Sequence, residues 1–202
     1  MQDDRREYFR VDDAVRLSIT PVPEDQLSSV YERLEQNIAN GFTVMSSLAA
    51  ISAEMAVSMR RIENSDPDVA AYLKALDRKI EVLGRAFIAQ ESELIAESAS
   101  PVNLSAGGMG VLANECYHSG QVLEIKMLLF PSFTGVLMYG SVVDCVPLET
   151  EQDPDYRYKL RVAFTHMREQ DRDLLIRHVL RRQSKELRKK EPVRQENGGD
   201  AT

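Results

Sequence analysis

Between residues 24 and 98 the apolar residues recur every seven positions, a spacing that no sheet can use. Leu27, Leu34, Gly41, Leu48, Met55 and Ile62 form one series, and Tyr31, Ile38, Met45, Ser52 and Met59 a second, offset by four. Alternating steps of three and four set both series along one helical seam. After "NSDPD" a new pair begins, with Val69, Leu76, Leu83 and Gln90 interleaved with Leu73, Ile80, Phe87 and Leu94. Asp66 before Pro67 reads as an N-cap followed by proline at the first helical position. The spacing predicts a first helix of about 40 residues, roughly 60 Å long, ending near Asn64, and a second from Pro67. So short a connection makes them antiparallel neighbours. Val30, Val44 and Ile51 add a third apolar stripe, which a lone hairpin would leave wet. Association of hairpins from two or more copies covers it, and the mixed seam residues select neither dimer nor tetramer. Gly41 costs about 1 kcal/mol in a helix interior, which calls for a bend or a close-packed neighbour.

On either side of this segment the period changes to two. Phe9, Val11, Val15, Leu17 and Ile19 alternate with Arg10, Asp12, Arg16, Ser18 and Thr20, and Asp13 is the one breach. Pro23 then opens the helical part. Beyond residue 99, "SPVNLSAGGMGVL" reads as two short extended pieces around a glycine-rich turn. "QVLEIKMLLF" places Leu123, Ile125, Met127 and Leu129 on one face. "VLMYGSVVDCV" is apolar on both faces, as a central strand is. "YRYKLRVAF" alternates Tyr156, Tyr158, Leu160, Val162 and Phe164 with Arg157, Lys159, Arg161 and Ala163. Antiparallel strands at this spacing predict a small barrel or sandwich. A last helix, about 168–190, presents Leu175, Ile176, Val179, Leu180 and Leu187, with positive charge gathered at its C-terminal end. The fold class is α+β. Residues 1–23 and 99–190 form one domain, 24–98 an inserted helical hairpin, and 191–202 a disordered tail.

Several function classes are excluded at this level. A net charge of -7 does not suit a nucleic-acid polymer, whose phosphates require a basic field. His118, His166 and His178 have no metal-ligand spacing, and no serine or cysteine stands in a nucleophile elbow, so neither a metal site nor a catalytic residue is expected. Cys116 and Cys145 are separate in sequence and read as two buried thiols of a reducing, cytoplasmic compartment. Residues 2–10 are too charged for a signal peptide. The uncharged window 36–53 carries too many polar side chains for a membrane span, and no membrane insertion is expected.

Two short motifs remain. "RREYFR" holds Arg5, Arg6 and Arg10, with Arg6 and Arg10 in the pattern RxxxR. "NLSAGG" holds Asn103, Ser105 and Gly108 in the pattern [D/N]xSxxG. Guanidinium groups bind phosphate or the O6/N7 edge of guanine with a planar fork, and stack on bases. The plainer readings are surface ion pairs with Asp3, Asp4, Glu7, Asp12 and Asp13, contributing about 0–1 kcal/mol each, and an ordinary hairpin turn. In this order, with this strand pattern and terminal helix, the two motifs resemble those of the PilZ domain family, bacterial receptors for cyclic di-GMP built on a six-stranded antiparallel barrel. The resemblance covers about 10–23 and 99–185 and the arginine loop.

The resemblance implies that cyclic di-GMP is the ligand and that no other cofactor is needed. Arg6 and Arg10 would grip phosphate and guanine with Arg5 assisting, Asn103 would bond a guanine edge, Ser105 would cap the turn and reach the ligand, and Gly108 would let the backbone turn tightly. The insertion resembles that of atypical PilZ proteins which assemble as dimers or tetramers. The chain would then be a helix-mediated oligomer, not an enzyme, that signals ligand occupancy to an effector protein. The alternative is an adaptor that kept the barrel, binds no nucleotide and works through its coiled coil.

Overall fold

The computed structural model describes residues 9–36, 41–91, 98–148 and 156–190; Arg5 and Arg6, the tail 191–202 and the seam position Leu94 lie outside them. The strands are β1 (Val11–Pro21), β2 (Ser100–Ser105), β3 (Gly108–Ala113), β4 (Val122–Leu129), β5 (Thr134–Pro147) and β6 (Tyr158–Met167). They close into an antiparallel barrel in the order β1-β2-β3-β6-β5-β4. The period-two residues explain it: Val11, Val15, Val102, Leu104, Met109, Val111, Leu123, Ile125, Met127, Val136, Met138, Leu160 and Val162 all point into one core. Closure removes the sheet edges that a chain of short strands would otherwise expose. Phe9 precedes the strand and is 72% exposed, so it does not share the buried face expected of it.

The helices are α1 (Leu27–Glu35), α2 (Gly41–Ser65), α3 (Pro67–Glu91) and α4 (Glu169–Lys190), with a 3-10 turn at Glu24–Gln26 between β1 and α1. The first predicted helix is therefore two. α1 ends at Glu35, and Gln36 caps it with its N–H on the Glu32 carbonyl (2.9 Å). Asn37, Asn40 and Gly41 are weak helix formers, and the barrel decides the break. Val30, Tyr31 and Leu34 of α1 and Phe42, Met45 and Leu48 of α2 all pack on Leu128, Leu137 and Tyr139, which project outward from β4 and β5. A straight rod could not seat both groups. Val30 thus belongs to the barrel's outer layer, and the uncharged window is accounted for in part within one chain. β5 is apolar on both faces for the same reason.

Gly41 opens α2 and carries no mid-helix penalty. The close helix contact falls instead at Gly84 of α3, where an added Cβ would lie 2.3 Å from Met45 Sδ. The hairpin connection follows the sequence: Asp66 Oδ1 accepts from Val69 N–H (3.1 Å) and Pro67 starts α3. By length and apolar content Gly41–Ser65 could cross a membrane. Its start (Gly41, Phe42, Thr43, Met45 and Ser46) is buried within the protein.

α4 closes the barrel through Leu175 and Val179, which join the core, whereas Leu180 and Leu187 are exposed. Two buried ionic groups fix it. Asp13, the breach in β1, accepts from His178 Nε2 (2.5 Å) and from Arg182. Arg168 donates to both Asp171 oxygens (2.9 Å each), and its Nη2 also reaches Ser46 and the Thr43 carbonyl on α2. This second group joins the insertion to α4.

Arg168→Leu strands a fully buried Asp171 carboxylate and should cost about 3–5 kcal/mol, seen as a lower urea midpoint with an unchanged slope. His178 is pushed down to about 4, by burial and then by Arg181 and Lys185; it is neutral, and Arg182 balances Asp13. The unfolded imidazole titrates near 6.5, so between pH 6.5 and 4 the unfolded chain binds more protons and stability falls as pH falls. This group should account for a loss of about 2 kcal/mol from pH 7 to pH 5, read as the difference in pH dependence between wild type and His178→Asn.

Candidate functional site

The site is built on the outward face of five neighbouring strands. β1 pairs with β2 so that Asp12 faces Asn103; β2 pairs with β3 so that Asn103 faces Gly110; β3 pairs with β6 so that Gly110 faces Arg161; and β6 pairs with β5 so that Arg161 faces Asp144. One row of partners thus crosses the barrel as Asp12, Asn103, Gly110, Arg161 and Asp144.

Arg10, just before β1, donates Nη1–H to Asn103 Oδ1 (3.2 Å) and lies 3.5 Å from the Asn103 carbonyl. Asn103 Nδ2 donates to Asp12 Oδ1 (2.7 Å). The asparagine amide is thereby oriented at both ends, oxygen toward the guanidinium and nitrogen toward the carboxylate. At the far end, Arg161 Nε donates to Asp144 Oδ1 and Oδ2 (2.8 Å each) and Nη2 joins them. Those bonds from Arg161 hold the Asp144 carboxyl below the usual carboxylate range.

Gly110 lies between the two polar ends. An added Cβ there would meet only Asn103 Cβ, at 3.9 Å, so crowding does not explain the glycine. Glycine inside a strand weakens it, and marks places where a ligand or another backbone comes close. The missing side chain leaves flat backbone between Asn103 and Arg161, whose strands are about 10 Å apart at two strand spacings. The surrounding cleft has a volume of ≈ 610 Å³ and includes Arg10, Asp12, Asn103, Gly110, Lys159 and Arg161.

Of the residues singled out in the sequence, Arg10 and Asn103 are brought into contact, and Arg5 and Arg6 lie outside the described residues. Ser105 and Gly108 form the tight connection beside them: Ser105 Oγ donates to the Gly108 carbonyl (3.0 Å). Ser105 caps the turn as expected, and the residue is only 3% exposed. The need for glycine at 108 is different from that expected. A Cβ there would lie 2.4 Å from the Val162 carbonyl oxygen on β6, so the constraint is close approach of two strands, not an unusual turn conformation.

Gly110, Lys159 and Arg161 were missed as site residues. The outward positions of Lys159 and Arg161 were legible in the alternation of "YRYKLRVAF", but only the β2–β3 and β3–β6 registers put Gly110 opposite Asn103 and Arg161 opposite Gly110. A second cleft, ≈ 700 Å³, lies between α1, the end of β6 and α4, where His166 stacks on Tyr31 (3.7 Å between centroids). It contains neither motif. Among the described residues no group of His, Cys, Asp and Glu could hold a metal ion.

Comparison with known proteins agrees with this architecture. The family model for the PilZ domain matches residues 77–181, which include Asn103, Ser105, Gly108 and Arg161 but not Arg10. No curated protein matches the sequence. Among solved structures, the chain is similar to a pathogenic protein from Xanthomonas campestris, described as a tetrameric PilZ domain self-assembled via a helical bundle. The TM-score is 0.56 at 13% identity, over 90% of this chain and 92% of that one. It is also similar to the inhibitor of motility of Bacillus subtilis, with a TM-score of 0.46 at 14% identity, over 91% of this chain but 53% of that one. With the closed six-stranded barrel, its terminal helix and a family match over half its length, the chain belongs to the PilZ domain family.

Proposed function

We propose that the chain is a cytoplasmic receptor for cyclic di-GMP, without catalytic activity, which binds the dinucleotide over the Asn103–Gly110–Arg161 row and relays occupancy to an effector protein. The observation that carries this reading is the Arg10–Asn103 hydrogen bond, which unites two motifs 93 residues apart. Cyclic di-GMP presents two phosphodiester charges and two guanines. Arg10 and Lys159 supply charge for phosphate. Arg161, held in plane by Asp144, presents a fork suited to a guanine O6/N7 edge. The bare backbone at Gly110 gives a base room to lie flat. Arg5 and Arg6 complete the arginine set in this proposal, and Ser105 and Gly108 shape the turn that holds Asn103 in place.

The helical hairpin is, in the same proposal, the surface through which copies of the chain assemble. Met55, Val69, Leu76, Ile80, Leu83 and Phe87 are seam positions, and all are exposed in the single chain, Leu83 by 70%. Their heptad spacing fits a partner helix. The hairpin also carries ion pairs, Lys74 with Glu63 and Arg85 with Glu81, which suit an aqueous helical bundle better than a bilayer. The helical-bundle tetramer described for the Xanthomonas campestris protein supports the same mode of assembly.

Titration calorimetry with cyclic di-GMP tests the site. Wild type should bind, and Arg10→Ala or Asn103→Ala should weaken binding by about 1–3 kcal/mol each, the scale of a lost charge-assisted or bidentate contact. Gly110→Val should fold at least as well as wild type, since valine favours strands, yet lose binding because its side chain fills the notch. Absence of binding by wild type would contradict the receptor reading.

Sedimentation equilibrium tests the assembly. Wild type should be a dimer or larger, and the double substitution Leu76→Lys with Leu83→Lys should give a folded monomer. A monomeric wild type would contradict it.

A further inference from the structure

Cys116 and Cys145 are the two cysteines of the chain, and the barrel brings them together. The loop after β3 is pinned along β5. Gly120 N–H donates to the Val142 carbonyl (2.8 Å), Val142 N–H to the Gln121 carbonyl (2.9 Å), and the Ser119 hydroxyl to the Val143 carbonyl (3.2 Å). The β5–β6 register shifts between Val142 and Asp144. Beyond that irregularity Asp144 meets Arg161, and Cys145 packs against the edge of the core. Cys145 Sγ then donates to the carbonyl of Glu115 (3.9 Å), the residue before Cys116, and Cys116 is one of the groups acting on the Cys145 thiol. Cys116 is exposed and Cys145 partly covered, so the expectation of two buried thiols is not met.

We propose that Cys116 and Cys145 form a reversible dithiol–disulfide site where the loop after β3 meets β5, oxidised by low-molecular-weight disulfides, with Cys116 the attacking and Cys145 the resolving thiol. Solvent access assigns the order, and burial, which pushes the Cys145 thiol up, agrees with it. The Cys116 thiolate attacks one sulfur of the small disulfide, forming a mixed disulfide and expelling one small thiolate. Cys145 then loses its proton and attacks Cys116 Sγ, closing the Cys116–Cys145 bond and expelling the second. Two electrons pass to the small disulfide, which leaves as two thiols carrying the two cysteine protons. A reducing compartment is compatible with such a bond when it is transient and sensing rather than structural. The site adjoins the proposed receptor surface, because Asp144, which holds Arg161, directly precedes Cys145, but its chemistry does not depend on that reading.

The full-length protein should be equilibrated with oxidised glutathione, quenched with an alkylating reagent and mapped by mass spectrometry without reduction. The expected product is a chain with no covalent link to another, lighter by two hydrogens, unalkylated, with Cys116 and Cys145 in one linked peptide, and returned to the dithiol by dithiothreitol. Cys145→Ser should accumulate glutathione on Cys116, and Cys116→Ser should react about tenfold more slowly at Cys145, as solvent access of the thiol dictates. Thiols that both remain alkylatable, independent glutathione adducts on each, or disulfides only between chains would each overturn the proposal.

Discussion

Pairing of β1 with β2 is the constraint on which the arrangement depends. The two strands are separated by the whole helical insertion, yet Val11 faces Leu104 and Asp12 faces Asn103. Closing so long a loop costs only logarithmically more than closing a short one, and the barrel core returns that cost through Val11, Val15, Val102 and Leu104. Once this register is set, period two determines the rest. Inward residues fill the barrel, and outward residues bring Arg10, Asp12 and Asn103 into one hydrogen-bonded group. A slip of one residue would exchange the two faces, exposing Leu104 and burying Asn103.

The insertion is attached to the barrel by two kinds of contact. Apolar packing of α1 and α2 on Leu128, Leu137 and Tyr139 fixes which face of the barrel the helices cover. The Arg168–Asp171 pair, through Ser46 and Thr43, fixes how α2 meets α4. Asp13 does the corresponding work at the middle of the terminal helix, through His178 and Arg182. Burial makes each of these ionic contacts sensitive to loss of one partner. Asp13 directly follows Asp12, which orients Asn103, so the candidate site and the terminal helix are anchored through adjacent residues of one strand.

Much of the fold was legible because it rests on periodicity. The inward faces of β4 and β6, the Asp66–Pro67 helix start, the antiparallel hairpin and the glycine-rich turn all follow from spacing and local chemistry. What could not be read depends on contacts distant in sequence. The break after Glu35 comes from the outer face of the barrel, which α1 and α2 both have to meet. Asp13 breaks the alternation because its partners are on α4. Gly108 and Gly84 are required by a carbonyl and a methionine elsewhere in the chain, and the proximity of Cys116 to Cys145 depends on the β5 irregularity. In the candidate site, Arg10 and Asn103 could be picked out from motifs, whereas Gly110 and Arg161 acquire meaning only from the β3–β6 register.

The central claim is that one planar, doubly charged dinucleotide lies across the outward row from Asn103 to Arg161. The most direct test is an ¹H–¹⁵N correlation spectrum of the labelled protein titrated with cyclic di-GMP. The account predicts saturable shifts at the Asn103 side-chain amide, the Gly110 backbone N–H and Arg161 Nε–H, with the α3 resonances unmoved. Saturable shifts confined to the cleft at Tyr31 and His166, or none at all, would contradict it.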